Sequence, residues 1–225
     1  MERRLLVVGA NQANLGEAVA DAAHVGGYWS RVDEVDKDVL DVTDRGSITH
    51  ALEDLNPTDI VCTVGINLPD GEPGMMMRNM RTQMLVNCIG PMALLAEAMD
   101  KWMNRDPAAH HSFVAVSSNS AHIARSESAG YCASKAALSM AIRCAARRYA
   151  PLNTFRIWGY EPGLISDSPM TEGVRMSLRP NVPLHRIPGG NTIKRQPLAT
   201  QIIRDIEGGQ RYLNGCMIRV DGGEQ

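Results

Sequence analysis

Short apolar runs alternate with stretches of helical periodicity along nearly the whole chain, and this alternation limits the fold more than any other feature. Leu5–Val8, Ile60–Val64, Phe113–Val116, Phe155–Gly159 and Met217–Val220 read as buried strands. Leu15–Ala23, Ser47–Leu55, Met75–Trp102, Tyr131–Tyr149 and Leu198–Ile206 carry apolar residues at helical spacing. A strand that is apolar throughout must be covered on both faces, and strands alternating with helices imply a parallel sheet between two helical layers. The expected class is therefore α/β.

At 225 residues the chain is long enough for one sizeable core, and residues 1–225 are expected to form a single domain. A net charge of −2 gives no electrostatic case for nucleic acid or an anionic membrane. Five cysteines without close paired spacing favour reduced thiols over a disulfide framework or a zinc site, as in a cytoplasmic protein. No stretch approaches the ~20 apolar residues of a membrane span. The opening Met-Glu-Arg-Arg-Leu-Leu-Val-Val-Gly is read as a strand entered at once, its apolar run being too short for a signal peptide.

Chemistry concentrates in Gly130-Tyr-Cys-Ala-Ser-Lys-Ala-Ala, a helix start. Tyr131 and Lys135 are four apart and so share one helix face. A cation about 4 Å from a phenol, at an effective dielectric of ~20, is worth about 4 kcal/mol. That would bring the phenol toward neutral pH, where general acid–base work needs it. Ser118 closes the apolar run Val114-Ala-Val-Ser-Ser, so a strand ending there aims a second hydroxyl into the same cleft. Alone, a Tyr-x-x-x-Lys pair is usually two surface residues; its neighbours decide.

The first strand turns into Gly9-Ala-Asn-Gln-Ala-Asn-Leu-Gly16 and then a helix. Free N–H groups and the helix dipole at such a turn favour an anion. Gly9 would permit the turn and Gly16 close helix–strand packing. Val32-Asp33 reads as the end of a second strand, where a carboxylate can accept both ribose hydroxyls and repel a 2′-phosphate. The other reading is a solvated Asp in the acidic run Asp33–Asp38.

In this order, the motifs resemble the short-chain dehydrogenase/reductase family from Leu5 to Gly223. The resemblance rests on Val116-Ser-Ser-Asn, Tyr131-Cys-Ala-Ser-Lys135, Leu85-Val-Asn-Cys-Ile-Gly-Pro, Glu161-Pro-Gly-Leu-Ile and Asp221-Gly-Gly. It implies a Rossmann-type doubly wound sheet of six or seven strands. It selects Ser118 over Ser117, and implies Ser118, Tyr131, Lys135 and Asn87 as the catalytic set. Tyr131 would protonate the developing alkoxide, Lys135 would depress its pKa and bind the nicotinamide ribose, and Ser118 would hold the substrate oxygen. Asn87 would position a relay water; its plainer reading is an Asn satisfied by backbone. The implied cofactor contacts are Gly9, Asn11, Asn14, Leu15, Gly16, Asp33, Asp41, Val42, Gly65, Tyr131, Lys135, Pro162, Gly163, Ile165 and Ser168. The implied cofactor is NAD, with NADP possible because Arg31 could reach a 2′-phosphate. The implied substrate is a small carbonyl or alcohol compound.

The chain departs from the family at several points. Ala13 and Leu15 stand at the later Gly positions of the phosphate loop; a one-residue insertion would put Asn14 and Gly16 there instead. Cys62-Thr-Val-Gly65 replaces Asn-Asn-Ala-Gly. The stretch from Gly16 to Leu40-Asp-Val-Thr-Asp44 leaves no room for a full crossover helix, so the third strand is expected to be short or irregular. This abbreviation resembles the dihydropteridine-reductase and dehydrorhamnose-reductase branches. These departures keep open an alternative, a catalytically idle NAD(P)-binding sensor or scaffold. A lid-like loop is expected at about 166–197, made basic by Arg175, Arg179, Arg186, Lys194 and Arg195. It either admits an anionic substrate or is simply solvated. The Met75–Met84 cluster lines a pocket, packs a helix or meets another subunit. The two long helices are expected to pair into a homodimer or homotetramer, as in the family.

Overall fold

The computed structural model describes residues 2–10, 14–105, 108–170, 192–209 and 211–224. Six strands form one parallel sheet in the order β2-β1-β3-β4-β5-β6. They are Arg4–Val8 (β1), Arg31–Val35 (β2), Asp59–Cys62 (β3), His111–Val116 (β4), Phe155–Pro162 (β5) and Met217–Val220 (β6). Helices Leu15–Gly26 (α1), Arg45–Leu55 (α2), Pro73–Met84 (α3), Gly90–Arg105 (α4), Ala129–Tyr149 (α5) and Arg195–Glu207 (α6) connect or cover them.

Period-two alternation sorts the strand side chains into two cores. Leu6, Val8, Ile60, Phe113 and Ile157 pack with Leu52, Leu94, Leu138 and Ile142 of α2, α4 and α5. Leu5, Val7, Val61, Val114 and Trp158 pack with Val19 of α1 and Ile202 of α6 on the opposite face. The sheet is thus buried on both sides, as continuous apolar strands require.

The chain leaves β1 toward β2 on one side and returns to β3 on the other. The strand order reverses there, and such reversals open a crevice outside the carboxyl ends of the strands. No strand forms between β2 and α2 among the described residues. Residues 36–44 make turns instead, with Asp36 Oδ1 accepting from the Asp38 and Val39 amides and Asp44 capping α2 through the Gly46 amide. With only nine residues between them, a further crossover is impossible.

The helix expected over Met75–Trp102 exists with an irregularity. Between α3 and α4 the chain passes through a π turn at Leu85–Ile89, which contains Asn87. Such turns insert an extra residue into the helical ladder and recur at functional sites. Among the described residues, no helix is long and apolar enough to cross a membrane. All five cysteines are free thiols. The ends of the expected lid meet in a bridge between Ile165 and Ile193. Arg175, Arg179 and Arg186 lie outside the described residues.

Candidate active site

Ser118, Tyr131, Lys135 and Asn87 converge at the carboxyl end of β4. Ser118 follows β4 in extended conformation and starts the 3-10 turn Asn119–Ala121, its Oγ accepting from the Ser120 amide at 3.1 Å. Ser118 sits close enough to Tyr131 to pull the phenol's pKa downward. Lys135 lies one turn along α5, 3% exposed, with Nζ 5.9 Å from the Tyr131 ring centre. Its ammonium donates to the Val116 carbonyl at 3.0 Å and the Val64 carbonyl at 3.5 Å.

The electrostatics differ from the sequence expectation in one respect. Burial pushes the Tyr131 phenol up from its ordinary value, against the downward pull from Ser118. The expected depression by Lys135 is not found. The ammonium is turned onto backbone carbonyls, and burial lowers its own pKa to about 8. In this arrangement Tyr131 is held protonated, the state of a proton donor.

Asn87 is satisfied by protein groups. Its Oδ1 accepts from the Ile66 amide at 2.8 Å, and its Nδ2 donates to the Ile66 carbonyl at 2.9 Å and Ser134 Oγ at 3.0 Å. The side chain thereby pins the segment after β3 to α5. Gln83 and Asn79 hold the same segment through the Leu68 amide and the Pro69 carbonyl. Asp70 then caps α5 from outside, accepting from the Ala129 amide at 2.8 Å. Ser128 makes no side-chain cap at that helix start. A carboxylate there satisfies an otherwise orphaned N–H and suits the helix dipole.

On the cofactor side, Gly9 adopts φ +88°, a value L-residues avoid. Its amide and that of Ala10 both donate to the Val35 carbonyl, at 2.9 and 3.1 Å. Asn14 donates from Nδ2 to the Gly9 carbonyl at 2.7 Å and caps α1 by accepting from the Glu17 amide at 3.0 Å. Leu15 is a buried member of the α1–α6 core. A Cβ on Gly16 would come within 2.8 Å of Ala10 Cα and of Thr63 Oγ1. Gly9, Asn14 and Gly16 pack together at the start of α1; residues 11–13, Asn11 among them, lie outside the described residues. The start of α1, where free N–H groups face the crevice beside β3, fits a dinucleotide phosphate.

Asp33 does not end its strand. It sits opposite Leu6 in the middle of β2 and takes a 2.8 Å bond from Arg31 Nε. The strand closes at Val35, beside the Gly9 turn, so Asp36 is the acidic residue just past its end. Asp41 Oδ1 closes a local turn, accepting from the Thr43 amide at 2.8 Å, and those Thr43 bonds hold its carboxyl below the usual carboxylate value. Val42 is buried in the core against Gly90, where a Cβ would meet its Cγ2 at 2.6 Å. Both side chains are thus occupied by the fold.

Gly65 lies beside the Lys135 ammonium. Pro162 ends β5, and the Gly163 amide donates to the Val220 carbonyl at 2.8 Å. Ile165 and the partly buried Ser168 follow at the start of the expected lid. A polar cluster behind α5 gave no signal in the motifs, its Ser117, Ser139 and Glu161 being buried and its His122 exposed. Ser117, Ser139, Glu161 and His122 are joined by hydrogen bonds there.

A family model described as enoyl-(acyl carrier protein) reductase matches residues 4–225. No curated protein matches the sequence significantly. Three solved structures are similar to the chain. A 3-oxoacyl-[acyl-carrier protein] reductase from Brucella melitensis in complex with NAD is 20% identical, covering 99% of this chain and 97% of its own, with a TM-score of 0.82. A putative gluconate dehydrogenase from Agrobacterium tumefaciens is 21% identical, covering 99% and 95%, with a TM-score of 0.84. The ligand-free aldohexose dehydrogenase of Thermoplasma acidophilum is 21% identical, covering 99% and 93%, with a TM-score of 0.80. At these identities the likeness establishes the fold, and the chemistry must be argued from the site.

Proposed function

The chain belongs to the short-chain dehydrogenase/reductase family, and we propose that it is a working NAD(H)-dependent oxidoreductase that interconverts a small carbonyl compound and its alcohol. The observation that carries this reading is the placing of a buried Lys135 ammonium 5.9 Å from the Tyr131 ring, beside the turn that Ser118 starts.

The nicotinamide, when bound, supplies or accepts the hydride. Ser118 Oγ would hold the substrate oxygen next to the Tyr131 hydroxyl. Tyr131, kept protonated by burial, would deliver its proton to that oxygen as negative charge develops, which suits the reductive direction. Lys135 would bind the nicotinamide ribose with the N–H not used on the Val116 and Val64 carbonyls. Asn87 would act by bracing the segment after β3 against α5, so that Gly65 stays open beside the ammonium.

The preference for NAD(H) rests on the carboxylate at the end of β2. That role is assigned to Asp36 by its place just past Val35, whereas Asp33 lies opposite Leu6 in mid-strand. A carboxylate beside the Gly9 turn accepts ribose hydroxyls and repels a 2′-phosphate.

Self-association into a dimer or tetramer is part of the same reading. A mostly apolar groove between α4 and α5 is lined by Met92, Leu95, Ala141 and Ala145, and Cys144 and Arg148 also border it.

Fluorescence titration with both reduced cofactors, followed by turnover assays on a panel of ketones, aldehydes, sugars and oxo-esters, tests the assignment. Cofactor-dependent turnover is expected. Tight NADH binding with no turnover across the panel would favour an idle sensor.

A further inference from the structure

One buried carboxylate has no part in the mechanism above. Glu161 is fully buried near the end of β5, directly before the Pro162–Gly163 turn. Its neighbours Ile157, Trp158 and Tyr160 are apolar or aromatic core residues. A carboxylate in such a strand is tolerated only when its oxygens are engaged. Oε1 accepts from Ser139 Oγ at 2.7 Å, and Oε2 lies 2.8 Å from His122 Nε2. Arg143 approaches only to 4.0 Å.

The two arms reach two different catalytic elements. Ser139 stands one turn beyond Lys135 on α5; its Oγ also lies 2.9 Å from Ser117 Oγ, and Ser117 donates its own proton to the Lys135 carbonyl at 3.0 Å. His122 closes the 3-10 turn that begins at Ser118, its amide donating to the Asn119 carbonyl at 2.9 Å. One carboxylate therefore grips the turn of Ser118 through His122 and the helix of Tyr131 and Lys135 through Ser139.

We propose that Glu161 is a positioning residue that fixes the distance between the Ser118 turn and the Tyr131–Lys135 face of α5. The inference rests on the catalytic reading of those three residues. The Ser139 hydroxyl ends on the carboxylate and the Ser117 hydroxyl on a peptide carbonyl, so neither carries protons to the Lys135 ammonium; the effect is geometric. A misplacement of about 1 Å between reacting groups can lower a rate by roughly 10²-fold.

Hydrogen–deuterium exchange on the full chain reads this positioning without a substrate. Glu161→Ala is expected to speed exchange at least about fivefold in both 117–123 and 131–142, with α1 unchanged. Glu161→Gln keeps an acceptor for Ser139 and is expected to behave as wild type. Ser139→Ala is expected to release 131–142 alone, and His122→Ala 117–123 alone; these milder variants decide the matter where Glu161→Ala does not fold. With NADH and the best substrate of the carbonyl panel, kcat of Glu161→Ala should fall about tenfold or more at an NADH Kd within about twofold of wild type. Unchanged exchange in either segment of a folded Glu161→Ala, or a Gln variant as impaired as the Ala variant, would overturn the proposal. Tyr131→Phe run alongside separates the two claims. If it retains turnover, the catalytic reading fails, while exchange still decides the positioning.

Discussion

A Cβ placed on Gly65 would lie 3.0 Å from the Lys135 Nζ and 3.5 Å from its Cε. The ammonium cannot simply retreat, because it is buried and donates to the Val116 carbonyl behind it. Gly65→Ala is therefore expected to displace the charge while leaving the sheet intact. NADH affinity and kcat should each fall about tenfold, roughly 1.4 kcal/mol each. Fluorescence titration checks the first, and thermal melting checks that the fold survives.

Lys135 links activity to pH. Burial lowers its pKa to about 8 from the ordinary 10.5, so the ammonium is charged below about 8 and lost above it. The kcat/KM for NADH is expected to fall as pH rises through about 8, since that quantity reports groups of the free enzyme.

The same shift has an opposite consequence for stability. The folded chain holds this proton more weakly than the unfolded chain, so the charge costs stability in full below about pH 8. The cost fades between about pH 8 and the unfolded value of 10.5. Lys135→Met should be inactive yet more stable at pH 7 by about 2 kcal/mol, a rise of roughly 4–8 °C in Tm. That advantage should shrink at pH 10, as melting curves at both pH values would reveal.

Cofactor choice turns on the end of β2. Wild-type protein is expected to bind NADH more tightly than NADPH, and Asp36→Ala should narrow the gap about tenfold. Asp33→Ala should change it little, because that carboxylate lies in mid-strand. Dissociation constants for both cofactors with the three proteins decide between the two acids.

Light scattering at micromolar concentration is expected to give a mass of two or four chains. Ala141→Arg adds a second cation beside Arg148 in the mostly apolar α4–α5 groove and should shift the population toward the 24.5 kDa monomer. A wild-type protein that is monomeric would refute this expectation.

The legible parts of this fold were those set by local periodicity. Tyr131 and Lys135 are neighbours because a helix repeats every 3.6 residues, and the two cores follow from alternation along each strand. The π turn around Asn87 was not legible, since Leu85–Ile89 carries ordinary helix formers and its irregularity depends on tertiary contacts. The end of β2 was misplaced because an acidic run hides where the strand stops and the Asp36 turn begins. The phenol of Tyr131 was misjudged because spacing gives proximity to Lys135 but not the burial that dominates its pKa. Glu161 did leave a signal in the sequence: a carboxylate following Ile157-Trp-Gly-Tyr at the end of a buried strand must find partners. Which partners, only the packing of His122 and Ser139 reveals.

The central claim is that the Tyr131 hydroxyl is the proton donor. The most direct test is single-turnover oxidation of bound NADH by the best panel substrate, comparing wild type with Tyr131→Phe. The ring keeps its packing in the variant, so NADH Kd should stay within about twofold, while the rate of NADH loss falls by about 10²-fold or more. Wild-type-like NADH loss in the Phe variant would contradict the account.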